Sequence, residues 1–314
     1  MKKNLKVQVL RGLAIIAVVI IHSNIPNYTK VFIRPFINFA VALFIFLSGY
    51  LTKLEIPDYK SFAMKRLKRV IIPYVVWTVI YSIPQGFDGF WVDLMFGRSC
   101  GVFYYIFVYV QFVILTPLVA TLLKSRYRVW GWLITPLSLI VFRYGCTWAD
   151  VQLLASECKY LCVVWFSYYY LGMALGNGIY SPKQNLKKYV IFYVVAIAFS
   201  IFEGLVWYGL NNIDMATTQL RITSLLTSVS FLLLCYRYLT ADERMNHCSK
   251  VLFVLGEYSF GIYFSHILIQ RILKKLAFDM MIFPFDSIFM ILISACCVWI
   301  GRRMLGKYDW VLGL

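Results

Sequence analysis

The stretch QVLRGLAIIAVVIIHSN, residues 8–24, is an apolar run with a basic side chain near each end. Arg11 stands at its start and His22 at its end, with ten residues between them. On an α-helix, at about 100° of rotation per residue, this spacing places both side chains on nearly one face. A rise of about 1.5 Å per residue separates them by roughly 16 Å along the helix axis. The run predicts a membrane-spanning helix with Arg11 near the cytoplasmic rim and His22 at or beyond mid-membrane.

Each of these two residues also has a simple alternative interpretation. An arginine near a helix end extends to the membrane surface, and a histidine at the other end lies in the interface. The shared face of Arg11 and His22, beside Gly12, favours a joint function over two separate surface contacts.

The composition of the whole chain is that of an integral membrane protein. Its 314 residues are 61% hydrophobic and 14% charged, whereas soluble domains have about 25% charged residues. The formal net charge is +17. We assign it to membrane topology and lipid headgroups, because the Lys and Arg residues flank apolar spans. No basic stretch with interleaved aromatics forms a module outside the spans, so nucleic acid is not an expected partner.

Apolar runs of roughly 20 residues predict about ten membrane-spanning helices. They cover about residues 7–25, 34–52, 70–86, 102–123, 129–143, 160–177, 189–209, 219–239, 252–273 and 282–300. With both termini cytoplasmic, most of the 31 Lys and Arg residues lie on the inner side, Lys2, Lys3, Lys183 and Arg244 among them. We therefore predict one all-α transmembrane domain over residues 1–314, with no soluble domain. No internal repeat is visible, which disfavours the inverted-repeat transporter folds.

The eight cysteines do not form the paired motifs of a metal site, so no metal is predicted. Most are interpreted as small apolar residues inside spans. Cys146 and Cys158 share one predicted outward loop, where a disulfide is an open alternative.

A second basic segment, FAMKRLKRVIIPYVVW at residues 62–77, begins the third predicted helix. Arg66 and Arg69 are three positions apart and share a face. Because the guanidinium group matches phosphate oxygens in pairs, we interpret them as a phosphate site. The neighbouring lysines are interpreted as ordinary positive-inside charge. Ser48, near the inner end of the second helix, is either a ligand contact or a small residue for close helix packing.

Polar residues also lie inside later spans. In LGEYSFGIYFSHILI, residues 255–269, Ser259, Tyr263 and His266 share one face. A histidine within a span usually faces the bundle interior, and a structural hydrogen bond is its alternative role. Glu203 is interpreted as a proton acceptor or as the ion-pair partner of a buried Arg or His. Gln111 is a further polar candidate.

Four segments in this order resemble the signature segments of the acyltransferase-3 family of bacterial membrane O-acyltransferases. They read LRGLAIIAVVIIHS, LFIFLSGYL, KRLKRVIIPYVVW and SFGIYFSHILI. The resemblance covers essentially the whole chain, including the ten helices. The chain departs from the family pattern in the fourth helix, where Tyr104-Tyr105-Ile106-Phe107 replaces a Trp-Phe-Leu segment, and at Ile267, where a proline is common. The motif residues that match are Arg11, His22, Arg66, Arg69, Ser259, Tyr263 and His266.

The resemblance implies acyl transfer, most often of acetyl, in the bacterial cytoplasmic membrane. The donor would be a cytoplasmic acyl-CoA such as acetyl-CoA, used as a substrate, with no permanently bound cofactor. The acceptor would be a hydroxyl of a surface polysaccharide or a lipid-linked glycan, and membrane lipids would surround the enzyme. Donor binding is expected of Arg11, Arg66, Arg69 and Ser48. General base catalysis is expected of His22, oriented by Glu203 or a backbone carbonyl. Contact with the acceptor is expected of Tyr263, His266 and Gln111.

Two other functions stay open at this stage. A transporter or flippase of amino acids or glycans would use the same polar interior for proton coupling. Arg66 and Arg69 favour the enzyme, because a proton-coupled carrier has no need of a phosphate-binding rim. A membrane scaffold without chemistry leaves the polar residues on shared faces unexplained.

Overall fold

A computed structural model describes residues 4–182, 185–240, 247–276 and 283–314. Lys2, Lys3, Lys183, Arg244 and the first residue of the tenth predicted helix lie outside these ranges. The described residues contain fifteen α-helices and no β-strand. The helices are α1 (Leu5–Ile21), α2 (Asn27–Ile37), α3 (Phe39–Tyr50), α4 (Tyr59–Ser82), α5 (Phe90–Phe96), α6 (Tyr104–Lys124), α7 (Ile134–Ser138), α8 (Cys146–Trp148), α9 (Gln152–Glu157), α10 (Phe166–Gly176), α11 (Leu186–Gly209), α12 (Ile213–Thr217), α13 (Ile222–Thr240), α14 (His247–Lys275) and α15 (Phe285–Leu305).

Within the described ranges, eight helical stretches are long and apolar enough to cross a membrane. Cys162–Gly176 is a shorter apolar helix, and α1 has 17 residues. The chain is therefore a multi-pass membrane protein. The count of ten spans and the cytoplasmic side of the termini stay predictions. The eight stretches are Asn27–Tyr50, Tyr59–Gln85, Tyr104–Lys124, Arg128–Trp148, Leu186–Gly209, Ile213–Thr240, His247–Lys275 and Phe285–Leu312.

Several predicted boundaries were wrong for identifiable reasons. The second predicted helix, 34–52, overlaps a stretch that begins at Asn27, is interrupted at Asn38 and ends at Tyr50. The third, 70–86, begins instead at Tyr59, because the Asp58 carboxylate caps the helix and accepts from the backbone N–H of Ser61 at 2.9 Å. Hydropathy finds neither start, because both first turns are polar.

The fifth predicted helix, 129–143, is not one regular helix. It consists of a 3₁₀ segment at Arg128–Leu133, the short helix α7 and a π-helical turn at Leu139–Gly145. Pro136, within α7, lacks the N–H that would continue a regular ladder of hydrogen bonds.

The close packing of α1 against α14 positions most of the polar interior. A Cβ atom at Gly12 would overlap the backbone carbonyl of Leu252 and lie 3.1 Å from the nitrogen of Gly256. Ten residues further along both helices, the ring of His22 lies against the ring of His266. The two helices are therefore parallel, and glycine at the crossing lets their backbones touch.

A second parallel pair, α3 and α10, is built in the same way. Gly172 lies against the carbonyl of Phe46, and Gly176 lies four residues later against the carbonyl of Tyr50. This four-residue spacing of small residues is the usual device for close helix contact in membranes. Both parallel pairs agree with the predicted alternation, which gives the first and ninth helices one direction and the second and sixth the other.

The outer helices turn an apolar face outward. On α11, Ile191, Phe199 and Phe202 are exposed, whereas Ser200 and Gly204 on the opposite face are buried. Large apolar side chains on the outside of a helix bundle are suited to lipid. The face of α11 that holds Ser200 and Gly204 is thereby turned into the bundle.

Candidate functional site

One end of the bundle carries three arginines, of which Arg11 and Arg66 are half-buried and Arg69 is exposed. Arg11 of α1 lies within electrostatic range of Arg66 and Arg69, which the first half of α4 supplies. A guanidinium nitrogen of Arg66 lies 3.4 Å from the hydroxyl of Ser48, and the group stacks on Phe62 at 4.4 Å. The structure thus brings together the four residues predicted to bind the donor. No carboxylate of the described residues forms an ion pair with these arginines.

The other end of α1 holds a pair of imidazoles. The ring centroids of His22 and His266 are 5.4 Å apart, with a tilt of 53° between the planes. The backbone carbonyl of His22 accepts a hydrogen bond from the side chain of Gln270, which holds the end of α1 against α14. The structure therefore joins two histidines that are 244 positions apart in the printed sequence, a proximity that no spacing rule predicts.

The hydrogen bonding of His266 defines which nitrogen is free. His266 is fully buried, and its Nδ1 lies 2.9 Å from the carbonyl oxygen of Ile262. Because a carbonyl only accepts, Nδ1 must donate, and the neutral ring keeps a lone pair on Nε2. Nε2 is buried and has no hydrogen-bond partner among the described residues. The lone pair is thus available to a donor from a ligand.

Two tyrosines connect the arginines with the histidines. Tyr105 of α6 lies within electrostatic range of Arg11, and its ring is 5.7 Å from that of Tyr263. Tyr263 in turn lies 6.5 Å from the ring of His266. The hydroxyl of Tyr263 donates to the carbonyl of Val102 at 2.6 Å, which fixes the ring. An interior path of polar and aromatic side chains therefore runs from the arginines to the imidazoles.

The structure does not bring Glu203 to His22, so the prediction that Glu203 orients the base is not met. The Glu203 carboxylate accepts from the hydroxyls of Tyr144 and Thr223 and from the Trp207 indole at 3.3 Å. All three donors lie away from α1, around a separate buried charge.

That buried charge is Arg221. Its side chain is fully buried, lies within electrostatic range of Glu203 and donates to the carbonyl and hydroxyl of Ser200 at 3.3 and 3.2 Å. Beside it, Arg143 and Asp214 form an ion pair of 2.5 Å. A buried cation requires a compensating charge. Glu203 places a negative charge within electrostatic range of this buried arginine, but the two side chains form no ion pair among the described residues, so the ion-pair role suggested by the sequence stays a prediction.

Gln111 also has a different environment from the one expected of an acceptor contact. Its amide nitrogen donates to the carbonyl of Tyr160 at 2.7 Å, and its amide oxygen accepts from the backbone N–H of Cys162 at 3.0 Å. Both ends of the amide thus hold the chain that leads into α10. Gln111 acts as a structural bridge in this fold.

Comparison with known families bears directly on this arrangement. The model of one family, described as an acyltransferase domain, matches residues 4–302. The chain belongs to the acyltransferase-3 family. The match includes all the arginines and both histidines of the path, and it indicates a membrane acyltransferase. Comparisons with curated proteins and with solved structures return no match.

Sequence reasoning missed the basic residue that lies nearest to His22 on α2 of this acyltransferase-3 protein. Arg34 of α2 donates to the carbonyl of Ile21 at 3.0 Å and lies within electrostatic range of His22 and Tyr104. The available signal was an arginine with a low-charge, apolar neighbourhood on both sides. Basic residues are common at the start of a span, so the position of Arg34 alone does not indicate a site.

The cysteines of this acyltransferase-3 protein are all unpaired in the structure. Cys146 and Cys158 lie within electrostatic range of each other, and the disulfide considered for them is not formed. Among the described residues, no group of His, Cys, Asp and Glu side chains has the arrangement of a metal site.

Proposed function

We propose that the protein is an O-acyltransferase that moves an acyl group, acetyl in the simplest case, from cytoplasmic acyl-CoA to a hydroxyl of a surface polysaccharide or lipid-linked glycan. The observation that supports this best is the interior path from the three arginines to the paired imidazoles. It offers a site for phosphate at one end and a base at the other, with Arg11 in the second turn of α1 and His22 directly after its last residue.

The arginine end suits the donor. Arg11, Arg66 and Arg69 concentrate positive charge at one place without a carboxylate to neutralise it among the described residues. Guanidinium groups pair with phosphate oxygens through two parallel hydrogen bonds. The phosphates of CoA are a ligand of this chemistry, and Ser48 adds a hydroxyl beside Arg66.

The length of the path suits the arm of the donor. Arg11 and His22 are separated by roughly 16 Å along α1, which is about the reach of an extended pantetheine arm. An acyl-CoA held by its phosphates at the arginines would therefore carry its thioester to the imidazoles. The aromatic rings of Tyr105 and Tyr263 line this route.

The imidazole end suits the transfer step. His22, as a neutral imidazole, takes the proton of the acceptor hydroxyl while the hydroxyl oxygen attacks the thioester carbonyl. The tetrahedral intermediate then collapses, the C–S bond breaks, and the CoA thiolate leaves and takes up the proton. The acyl group ends as an ester on the acceptor. His266 lies beside the reacting groups and offers its Nε2 lone pair to an acceptor hydroxyl.

The test separates donor binding from transfer. Purified His22→Ala protein in lipid nanodiscs should bind CoA as the wild type does, because the arginines are unchanged. Its acyl transfer should fall by about 10²-fold or more, the usual contribution of a general base. His247→Ala is the matched control, since His247 is exposed at the start of α14. Wild-type transfer by folded His22→Ala protein would exclude this mechanism.

A transporter or flippase is the second candidate, and the neighbouring imidazoles of His22 and His266 are the observation in its favour. Two histidines in contact inside a bundle are also suited to proton transfer. The arginine cluster separates the two functions, because a carrier without CoA chemistry would not bind CoA. Failure of the wild-type protein to bind CoA would support the carrier.

A further inference from the structure

Five side chains surround the imidazole end of the path and form what we call the outer polar cluster: His22, Arg34, Tyr104, Gln219 and His266. They come from four different helices and the segment before α13. Arg34 lies within electrostatic range of both His22 and Tyr104. The amide nitrogen of Gln219 donates to the hydroxyl of Tyr104 at 2.8 Å. The cluster is therefore a connected group around His22.

The charge of Arg34 is not neutralised by any carboxylate in the described part of the chain. One terminal nitrogen of its guanidinium donates to the carbonyl of Ile21, and its Nε is buried without a hydrogen-bond partner among the described residues. No carboxylate of the described chain forms an ion pair with it. Burial of an unpaired cation inside a membrane protein is energetically unfavourable. Such a residue is therefore usually retained because it binds a ligand or lines an ion pathway.

The cluster also holds two unused acceptors. The amide oxygen of Gln219 and Nε2 of His266 are both buried without a partner among the described residues. Buried polar atoms are normally paired, and an exception calls for an explanation. Arg34 offers a charged donor, while Gln219 and His266 offer acceptors for hydroxyl groups. This combination matches a polyhydroxylated molecule with a negative charge, as a sugar with a carboxylate or phosphate would be.

We infer that the outer polar cluster binds an anionic group of the acceptor, with Arg34 as the cation that recognises it. The inference rests on the proposed function and adds the charge class of the acceptor. Arg34 is bonded to the residue directly before His22, so an anion at Arg34 would hold its sugar at a fixed offset from the base. A neutral sugar would leave the guanidinium unpaired, which selects against it. Carboxylate and phosphate share this chemistry.

The experiment uses cells that lack the gene and are complemented with the wild type, Arg34→Gln, Arg34→Lys or Lys30→Gln. Glycans are separated on an anion exchanger. Mass spectrometry then measures the amount of acyl ester that is removed by alkali and that is present only when the gene is present. Lys30 is the matched control, because it is a cation one turn earlier on α2 that is bonded to Asn27 at 3.1 Å.

The expected result is a gene-dependent ester on glycans that the exchanger retains. Arg34→Gln should lower it by about 10-fold or more, the usual value of a hydrogen bond to a charged group. Arg34→Lys should restore a large part of it, and Lys30→Gln should match the wild type. Repeating the exchange after mild acid, which removes lipid-linked phosphate, separates the two sources of charge. Retention then indicates a charge on the glycan itself, and loss indicates the lipid-linked phosphate.

Two results would overturn the inference while leaving the proposed function intact: a wild-type ester found on neutral glycans, or equal ester levels with Arg34→Gln and Lys30→Gln. Absence of any gene-dependent ester with the wild type would overturn both. CoA binding by purified Arg34→Gln protein shows that the variant is folded, since the arginine cluster lies at the other end of α1. Whether the wild-type product is retained on the exchanger tests the inference without any variant, so misfolding of a variant cannot affect that result.

Discussion

The contact between α1 and α14 gives a prediction about packing that extends to the paired histidines. A Cβ atom at Gly12 would overlap the backbone of Leu252, close to the nitrogen of Gly256. A side chain in that place could rotate away, but backbone atoms of a helix cannot. Gly12→Ala must therefore push the two helices apart.

The cost follows from two opposing effects. Adding a methyl group to a closely packed interior costs about 1–3 kcal/mol, and the better helix propensity of alanine returns about 0.5–1 kcal/mol. We expect a net loss of unfolding free energy on the order of 1–2 kcal/mol. Since His22 and His266 lie on these two helices at 5.4 Å, their separation should also lower acyl transfer per folded molecule.

The assay is thermal unfolding in detergent micelles, together with acyl transfer by the fraction that remains folded. Gly209→Ala is the control, because Gly209 ends α11 and a Cβ there would meet no atom within 4 Å. The control should be as stable as the wild type or slightly more so. If Gly12→Ala equals Gly209→Ala in both stability and transfer, the α1–α14 contact does not set the spacing of the histidines.

Two further substitutions test the arginine end of the path and the separate group of residues around Arg221. Arg69→Ala should raise the KM for acyl-CoA by about tenfold or more with little change in kcat, since it removes a charged contact to donor phosphate, whereas Lys68→Ala should change neither in steady-state kinetics. An equal effect of the two variants would show general charge attraction only. Glu203→Gln should lower the unfolding free energy by about 1–3 kcal/mol, because it weakens the hydrogen bonds that the carboxylate accepts from Tyr144 and Thr223 and removes a negative charge near Arg221. Transfer per folded molecule should stay near the wild type. A hundredfold loss of transfer by fully folded Glu203→Gln protein would show that the carboxylate takes part in catalysis.

The local part of this architecture could be predicted from the sequence. The offset between Arg11 and His22 depends only on helix geometry. The same holds for the helix face that Tyr263 and His266 share. Most spans were found because twenty apolar residues have few alternatives in a folded chain. The start of α2 could not be predicted because its first turn is polar, and Arg34 then stands at the predicted start of a span, where a basic residue is common.

What the sequence could not show depends on contacts between distant segments. Nothing near Glu203 in the chain indicates that Arg221 is its neighbour. From the sequence alone, the carboxylate could therefore serve either as the counter-charge of a buried cation or as a group that accepts a proton in catalysis. The two uses of the Gln111 amide likewise depend on how the chain before α10 packs against α6. The contact of His22 with His266 required the parallel docking of the first helix and the second-last helix.

That docking has a consequence for the order in which the protein is made. The first helix enters the membrane early in translation, with Arg11 already facing cytoplasmic acyl-CoA in the proposed mechanism. Its partner α14 emerges from the ribosome only after most of the chain has been inserted. A nascent or truncated chain therefore has the anchor for the donor but lacks the second imidazole and the wall that α14 supplies. In the proposed mechanism, the paired imidazoles therefore form only after α14 has docked against α1.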